Sequence, residues 1–246
     1  LSVLAEYHFA PTKWARSNLI KENIPADRIW VTGNTIIDAL STVLKNQKSE
    51  ATQKAFQRYL KQRWHLELTA NTDNFKLILV TGHRRESFGK EFESICTAIR
   101  EIAAKRKDAV IIYPAHLNPH VLQSIKKILK GIPNVYIPGP LEYGLFVFLM
   151  NRAYLILTDS GGIQEEASSL GKPILIMRNT TERPEVIKAG IAKLVGTDKE
   201  RIVNETLELL DNPSRYRKMS KVVNLYGNGR AAEIIVKILR KVIFEK

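Results

Sequence analysis

Nine consecutive residues, Thr158-Asp159-Ser160-Gly161-Gly162-Ile163-Gln164-Glu165-Glu166, concentrate side chains and backbone able to bind a charged ligand, where a β-rich run gives way to helical spacing. Ligands of open parallel sheets bind beyond the carboxyl ends of the strands. Two glycines there let the backbone approach a ligand closely, and the first N–H groups of a helix, lacking internal partners, point at an anion. Ser160 adds a hydroxyl donor. Glu166 lies one helical turn beyond Gly162 on the same face, so its carboxylate can accept hydrogen bonds from a neutral diol such as a ribose. Together these residues describe a seat for a nucleotide diphosphate; the alternative is a plain helix start capped by Ser160. Other chemistries fail on spacing. A nucleophile elbow needs Gly two residues before the serine, where Thr158 stands. A P-loop needs Gly five residues before Gly171-Lys172, but that residue is Glu166, and Pro173 follows the lysine. No Gly-x-Gly-x-x-Gly occurs, which argues against a dinucleotide cofactor.

Four further loops follow β-rich runs. Thr81-Gly82-His83-Arg84-Arg85-Glu86-Ser87-Phe88-Gly89 offers His83 as a proton donor near neutral pH and arginines that clamp phosphate oxygens; the alternative is a surface loop in which Arg85 and Glu86 pair. Tyr113-Pro114-Ala115-His116-Leu117-Asn118-Pro119-His120 has the His-x-x-x-His spacing of a zinc helix, but Leu117 replaces the expected Glu and Pro119 is expected to disrupt the helix. His116 therefore reads as a structural or ligand-orienting residue, and no metal is expected. Arg178-Asn179-Thr180-Thr181-Glu182-Arg183-Pro184-Glu185 opens a helix at Pro184 and places Arg183 to reach an anion on the glycine turn, unless it pairs with Glu182 or Glu185. Pro138-Gly139-Pro140-Leu141-Glu142-Tyr143-Gly144-Leu145-Phe146 offers Phe146 as a stacking surface for a base.

The elements that must position these loops are β-rich runs at 77–80, 110–113, 135–137, 154–157, 174–177 and 192–195, alternating with segments of helical spacing. Continuous apolar runs suit strands buried on both faces, and repeated βα units imply an α/β fold with a doubly wound, Rossmann-like parallel sheet. Residues 1–33 read as strand, helix and strand closing at Gly33, the tail of another α/β unit; 34–228 form the main domain; 229–246 form a helix suited to dock on a neighbouring domain. Between 41 and 74 the chain reads as a charged boundary helix and a surface connection, with a loop at 69–74.

The 246 residues are 44% hydrophobic and 26% charged, which excludes disorder, and the longest apolar run, 145–150, is too short to span a bilayer. The first residues carry no secretory signal pattern. Cys96 is the single cysteine, which excludes an internal disulfide and a cysteine-rich zinc site and fits a reducing cytoplasm. The +13 charge (38 Lys+Arg, 25 Asp+Glu) favours polyanions, but it is spread through helical stretches without interleaved aromatics and reads as a solvated basic surface, not a nucleic-acid site.

As a set, the motifs at 80–89, 113–119, 158–166 and 180–185, with Tyr7-His8-Phe9-Ala10-Pro11-Thr12 and Thr32-Gly33-Asn34-Thr35, closely resemble the non-hydrolysing UDP-N-acetylglucosamine 2-epimerases. The resemblance implies the second half of a GT-B-type pair of Rossmann-like domains, with the last helix crossing back to the first domain. It implies inversion at C2 of UDP-N-acetylglucosamine to UDP-N-acetylmannosamine, by elimination and re-addition of UDP without a cofactor. By the same resemblance His83 contacts the diphosphate and sugar region in the catalytic site, Ser160, Gly161 and Gly162 the phosphates, and Glu166 the ribose. Arg183 meets the anionic part, Phe146 the uracil, and Leu141 offers main-chain groups to the base. Arg84, Glu86 and His116 match positions that contact an activating second UDP-N-acetylglucosamine. The family's acid and base carboxylates fall ahead of Leu1, so the chain is expected to bind UDP without turning over and to work as part of a longer, cytoplasmic homodimer. A GT-B-type UDP-sugar transferase and a non-catalytic UDP-sugar binding module are the alternatives.

Overall fold

The computed structural model describes residues 2–67, 75–82 and 89–244. The chain opens with a small parallel pair, β1 (His8–Ala10) and β2 (Ile29–Val31), joined by α1 (Lys13–Lys21). Thr12 caps α1, its hydroxyl oxygen accepting from the Ala15 N–H at 3.0 Å while its own proton goes to Glu185 at 2.6 Å. One side chain thus starts a helix and ties this first unit to the main body.

After Gly33 come α2 (Thr35–Asn46) and α3 (Glu50–Trp64), then the main sheet: β3 (Lys76–Thr81), β4 (Ala109–Ile112), β5 (Val135–Tyr136), β6 (Leu155–Thr158), β7 (Ile174–Ile176) and β8 (Ala192–Leu194). All pairs are parallel, and the spatial order is β5-β4-β3-β6-β7-β8. Numbered by their order in the chain, the strands lie 3-2-1-4-5-6, the doubly wound arrangement whose winding reverses between the first and fourth strands. That switch point lies between β3 and β6.

Strand side chains alternate between two buried layers. Ile78, Val80, Ile111, Leu155 and Leu157 meet the helices α4 (Lys90–Lys105), α5 (Pro119–Leu129) and α9 (Lys199–Asp211), while Leu77, Leu79, Ile112, Ile156 and Ile176 meet α2, α6 (Tyr143–Arg152), α7 (Gly161–Ser169) and α8 (Pro184–Lys188). Burial on both faces accounts for the unbroken apolar runs, as the sequence implies. Cys96 lies in the first layer, and burial, with the nearby Glu93 charge, pushes its thiol up to about 12, which keeps it inert. After α9 the chain passes through α10 (Pro213–Met219) and ends in α11 (Ala231–Phe244), whose first N–H groups are capped by Asp38 of α2.

One expectation needs correction. The charged 41–64 stretch is not a surface connection: α3 docks, burying Leu60 fully and setting Phe56 4.9 Å from the Phe148 ring. A single apolar face suffices to anchor a helix whose other faces are charged. As expected, no helix spans 116–120: Pro119 is the first residue of α5, where a missing N–H costs nothing, and His116 lies ahead of it. The expected loop at 69–74 falls outside the described residues.

Gly33 sets how the first unit meets the main body. Its φ is +85°, and a Cβ there would lie 2.9 Å from the Tyr226 carbonyl oxygen and 3.0 Å from Gly227 Cα. The next N–H, of Asn34, donates to that same carbonyl at 2.7 Å. Gly33→Ala is expected to cost about 1–3 kcal/mol from backbone strain alone. The check is the urea midpoint, and an unchanged value would show that this junction yields.

Candidate functional site

Beyond β3 and β6, at the switch point, the two strand ends are locked together before the loops diverge. The Thr81 and Thr158 hydroxyls hydrogen-bond at 2.6 Å, and Thr158 Oγ1 also accepts the Ser160 N–H at 3.0 Å. From the neighbouring strand the buried Tyr113 hydroxyl donates to the Gly82 carbonyl at 2.6 Å, and burial raises its pKa. A Cβ on Gly82 would approach that hydroxyl to 3.0 Å, so only a glycine fits without displacing it.

Ser160 stands at the N-cap of α7, yet its side chain caps no N–H. The alternative reading of Ser160 as a plain capping residue therefore fails: among the described residues its hydroxyl has no partner, and the first N–H groups of the helix lack internal acceptors. Gly162 is exposed, and the space a side chain would take there meets nothing closer than Ser160 Oγ at 4.0 Å. Over Gly161 lies Arg183, with Nη2 3.8 Å from where a Cβ would stand. An anion seated on the turn meets N–H groups, a hydroxyl and a guanidinium together, a combination that favours a phosphate.

What holds Arg183 there was not foreseen from the sequence. It pairs neither with the Glu185 carboxylate nor with that of Glu182, which takes Arg178 at 2.7 and 3.0 Å. Instead, Arg183 Nε donates to Glu165 Oε1, while Asn34 Nδ2 donates to Glu165 Oε2. Glu165 is 1% exposed. The Arg183 N–H donates to Thr181 Oγ1 at 3.0 Å, and the Thr181 hydroxyl donates to Gln164 Oε1 at 2.7 Å. The sequence signal for this network is three polar residues in a row, 164–166, on a helix packed against a sheet: such residues are buried only with partners.

Glu166 is also buried, and its Oε1 accepts from the Tyr143 hydroxyl at the start of α6. Burial raises the carboxyl pKa, opposed by that hydrogen bond and assisted by Glu165. Burial, and then Glu166, raises Tyr143 as well. Tyr143 carries no role in the sequence reading, although it stands in a motif singled out there.

The remaining candidates divide. Phe146, Ser160 and His116 line one cavity of about 230 Å³ with Thr81, Pro140 and Ile163. His116 Nδ1 accepts the Asn118 N–H at 3.1 Å, so a residue assigned to an activator position stands in the same cavity as two assigned to the substrate. Leu141 is half-buried and packs in the apolar layer that also holds Tyr143 and Phe146. His83, Arg84 and Glu86 lie outside the described residues. Among the described residues no group of three or more His, Cys, Asp and Glu side chains could hold a metal, and no helix is long and apolar enough to cross a membrane.

Comparison with known proteins shows the family. A sequence model of the family described as UDP-N-acetylglucosamine 2-epimerase matches residues 1–240. The Escherichia coli O157:H7 protein of that name is 51% identical over 241 residues, covering 96% of this chain and 61% of the relative. The Neisseria meningitidis UDP-GlcNAc 2-epimerase bound to UDP-GlcNAc superposes with a TM-score of 0.91 at 44% identity, covering 98% of this chain and 62% of that one. The S. aureus MnaA–UDP co-structure gives a TM-score of 0.85 at 39% identity, again with 98% and 62% covered. The chain thus spans about three fifths of the length of the relatives it matches.

The raised Glu166 pKa sets a pH signature. A carboxyl whose folded pKa lies above its ordinary value of 4.5 contributes stability below that value and loses it as pH rises through the folded pKa. Glu166→Gln keeps an acceptor for Tyr143 but cannot ionise. The melting-temperature difference, variant minus parent, is expected to grow in the variant's favour between pH 4 and pH 7. A difference independent of pH would mean that ionised Glu166 is held at no cost.

Proposed function

The chain belongs to the UDP-N-acetylglucosamine 2-epimerase family, and from that premise we propose that it forms the nucleotide half of a site where UDP-N-acetylglucosamine and UDP-N-acetylmannosamine interconvert at C2. The reading rests on one observation: at the switch point, the uncapped start of α7, the Ser160 hydroxyl and Arg183 converge beside the cavity that Phe146 lines.

In this reading Phe146 stacks on the uracil, Leu141 offers main-chain groups to it, and Glu166 accepts from the ribose hydroxyls. Ser160, Gly161 and Gly162 bind the phosphates and Arg183 the anionic part. His83 serves the diphosphate and sugar region, and Arg84, Glu86 and His116 serve a second nucleotide sugar.

These donors are also what the chemistry requires. When the C1–O bond to UDP breaks, negative charge gathers on the departing diphosphate. Fixed N–H groups, a hydroxyl and a guanidinium already aimed there stabilise it without reorganising, which lowers the barrier to elimination and holds UDP for return. The C2 hydrogen is barely acidic, so its transfer needs positioned carboxylates. The resemblance assigns those to the first domain of the complete enzyme, a cytoplasmic homodimer in which 1–33 finishes that domain and 229–246 crosses back to it. The family match favours epimerisation over sugar transfer or simple sugar-nucleotide binding.

Calorimetric titration of the chain with UDP is expected to show saturable binding, weakened about tenfold or more by Glu166→Ala, as loss of a charged hydrogen-bond acceptor implies. In the full-length enzyme, reaction in heavy water is expected to place deuterium at C2 of the sugar nucleotide. Sugar transfer to an added acceptor with C2 left unlabelled would instead establish a transferase.

A further inference from the structure

At the opposite end of the sheet, three cations gather around a cavity. Arg152 closes α6 just ahead of β6, and Lys172 follows α7 just ahead of β7, so both stand at the amino edge of the strands. With Lys48, Gln53 and Asn151 they line a cavity of about 550 Å³, and the same two cations border a second cavity of about 340 Å³ beside Tyr154 and Tyr216. Exposed Lys48 stands on its rim.

The two inner cations are half-buried and not neutralised. Burial lowers the pKa of both, and the charge acting on Lys172 is that of Arg152, which lowers it further. A neighbouring carboxylate would act the other way; among the described residues none offsets either cation. The carboxyl ends of α6 and α7 contribute roughly one negative charge between them, against three positive ones. Part of the chain's +13 is therefore focused here and not spread over a solvated surface.

The wall is ordered. The Arg152 guanidinium lies over the Phe148 ring at 3.7 Å and donates to Gln53 Oε1 at 3.4 Å. Gln53 Nε2 in turn donates to the Gln47 carbonyl at 3.2 Å, and Gln47 Nε2 to the Gly144 carbonyl at 2.7 Å. A guanidinium set in one plane before a ligand arrives loses little freedom on binding, and its fork matches two phosphate oxygens.

We propose that this cavity binds a small phosphate-bearing anion, with Arg152 and Lys172 as its main ligands, Lys48 as the rim charge, and Gln53 and Asn151 as amide donors. Its volume suits a diphosphate or a phosphorylated small molecule. The site is separate from the nucleotide seat, since the two lie at opposite ends of α6 and α7.

The test is calorimetric titration with inorganic pyrophosphate at low salt. Because the glycine turn also attracts phosphate, a Gly162→Asp background sets a negative charge on the turn at an exposed position with open space. Saturable binding is expected in the parent and in Gly162→Asp. Adding Arg152→Gln and Lys172→Gln is expected to weaken it at least tenfold, with circular dichroism confirming the fold. Lys48→Gln, at the exposed rim, is expected to weaken it severalfold and decides the matter if the double variant does not fold. Abolition of binding by Gly162→Asp alone, or unchanged affinity in the cavity variants, would overturn the proposal.

Discussion

The buried Glu165 carboxylate is the constraint on which the glycine-turn end of this molecule depends. An ion taken out of water costs several kcal/mol unless its lone pairs are matched, and removing one partner of such a pair typically costs about 3–5 kcal/mol. Here one oxygen takes Arg183 and the other takes Asn34. The first partner belongs to the loop after β7 and the second to the cap of α2, whose Oδ1 also accepts the Ile36 N–H. A single carboxylate thereby fixes the position of the arginine over the glycine turn and the departure of the chain from Gly33.

The neighbouring residues extend this arrangement. Gln164, Glu165 and Glu166 are consecutive, so on a helix they point in three directions about 100° apart. Gln164 holds Thr181, Glu165 holds Arg183 and Asn34, and Glu166 holds Tyr143. Polar side chains that would weaken an apolar core become braces: Gln164 and Glu165 hold the loop after β7, Glu165 also holds the cap of α2, and Glu166 holds the start of α6. The N-terminus of α7, clear of its own cap, is held as the centre of the group while its donors face outward.

The same two helices give the domain an electrical polarity. α6 and α7 begin beyond the carboxyl ends of the strands, with Tyr143 and Phe146 on one and the glycine turn on the other, and finish at the amino edge of the sheet beside Arg152 and Lys172. Helix amino ends attract anions and carboxyl ends attract cations. That preference explains why cations stand at the far ends; three of them around one cavity exceed what two helix ends offset.

Much of the architecture was legible in the sequence because it follows from local rules. Apolar runs of three or four residues mark strands buried on both faces, and the Ser-Gly-Gly turn between a strand and a helix marks where the backbone is open to a ligand. The motifs at 80–89, 113–119, 158–166 and 180–185 mark the family. Tertiary structure decided which partner each polar residue takes. Arg183 has Glu182 and Glu185 close in sequence but pairs with Glu165, eighteen residues earlier, because the adjacent β6 and β7 bring their following loops together. The docking of α3, the sharing of one cavity by His116, Phe146 and Ser160, and the meeting of Arg152 with Lys172 arise the same way. Sequence patterning records whether a side chain prefers water or a core. Partner choice depends on distances set by the strand order 3-2-1-4-5-6, which no local pattern encodes.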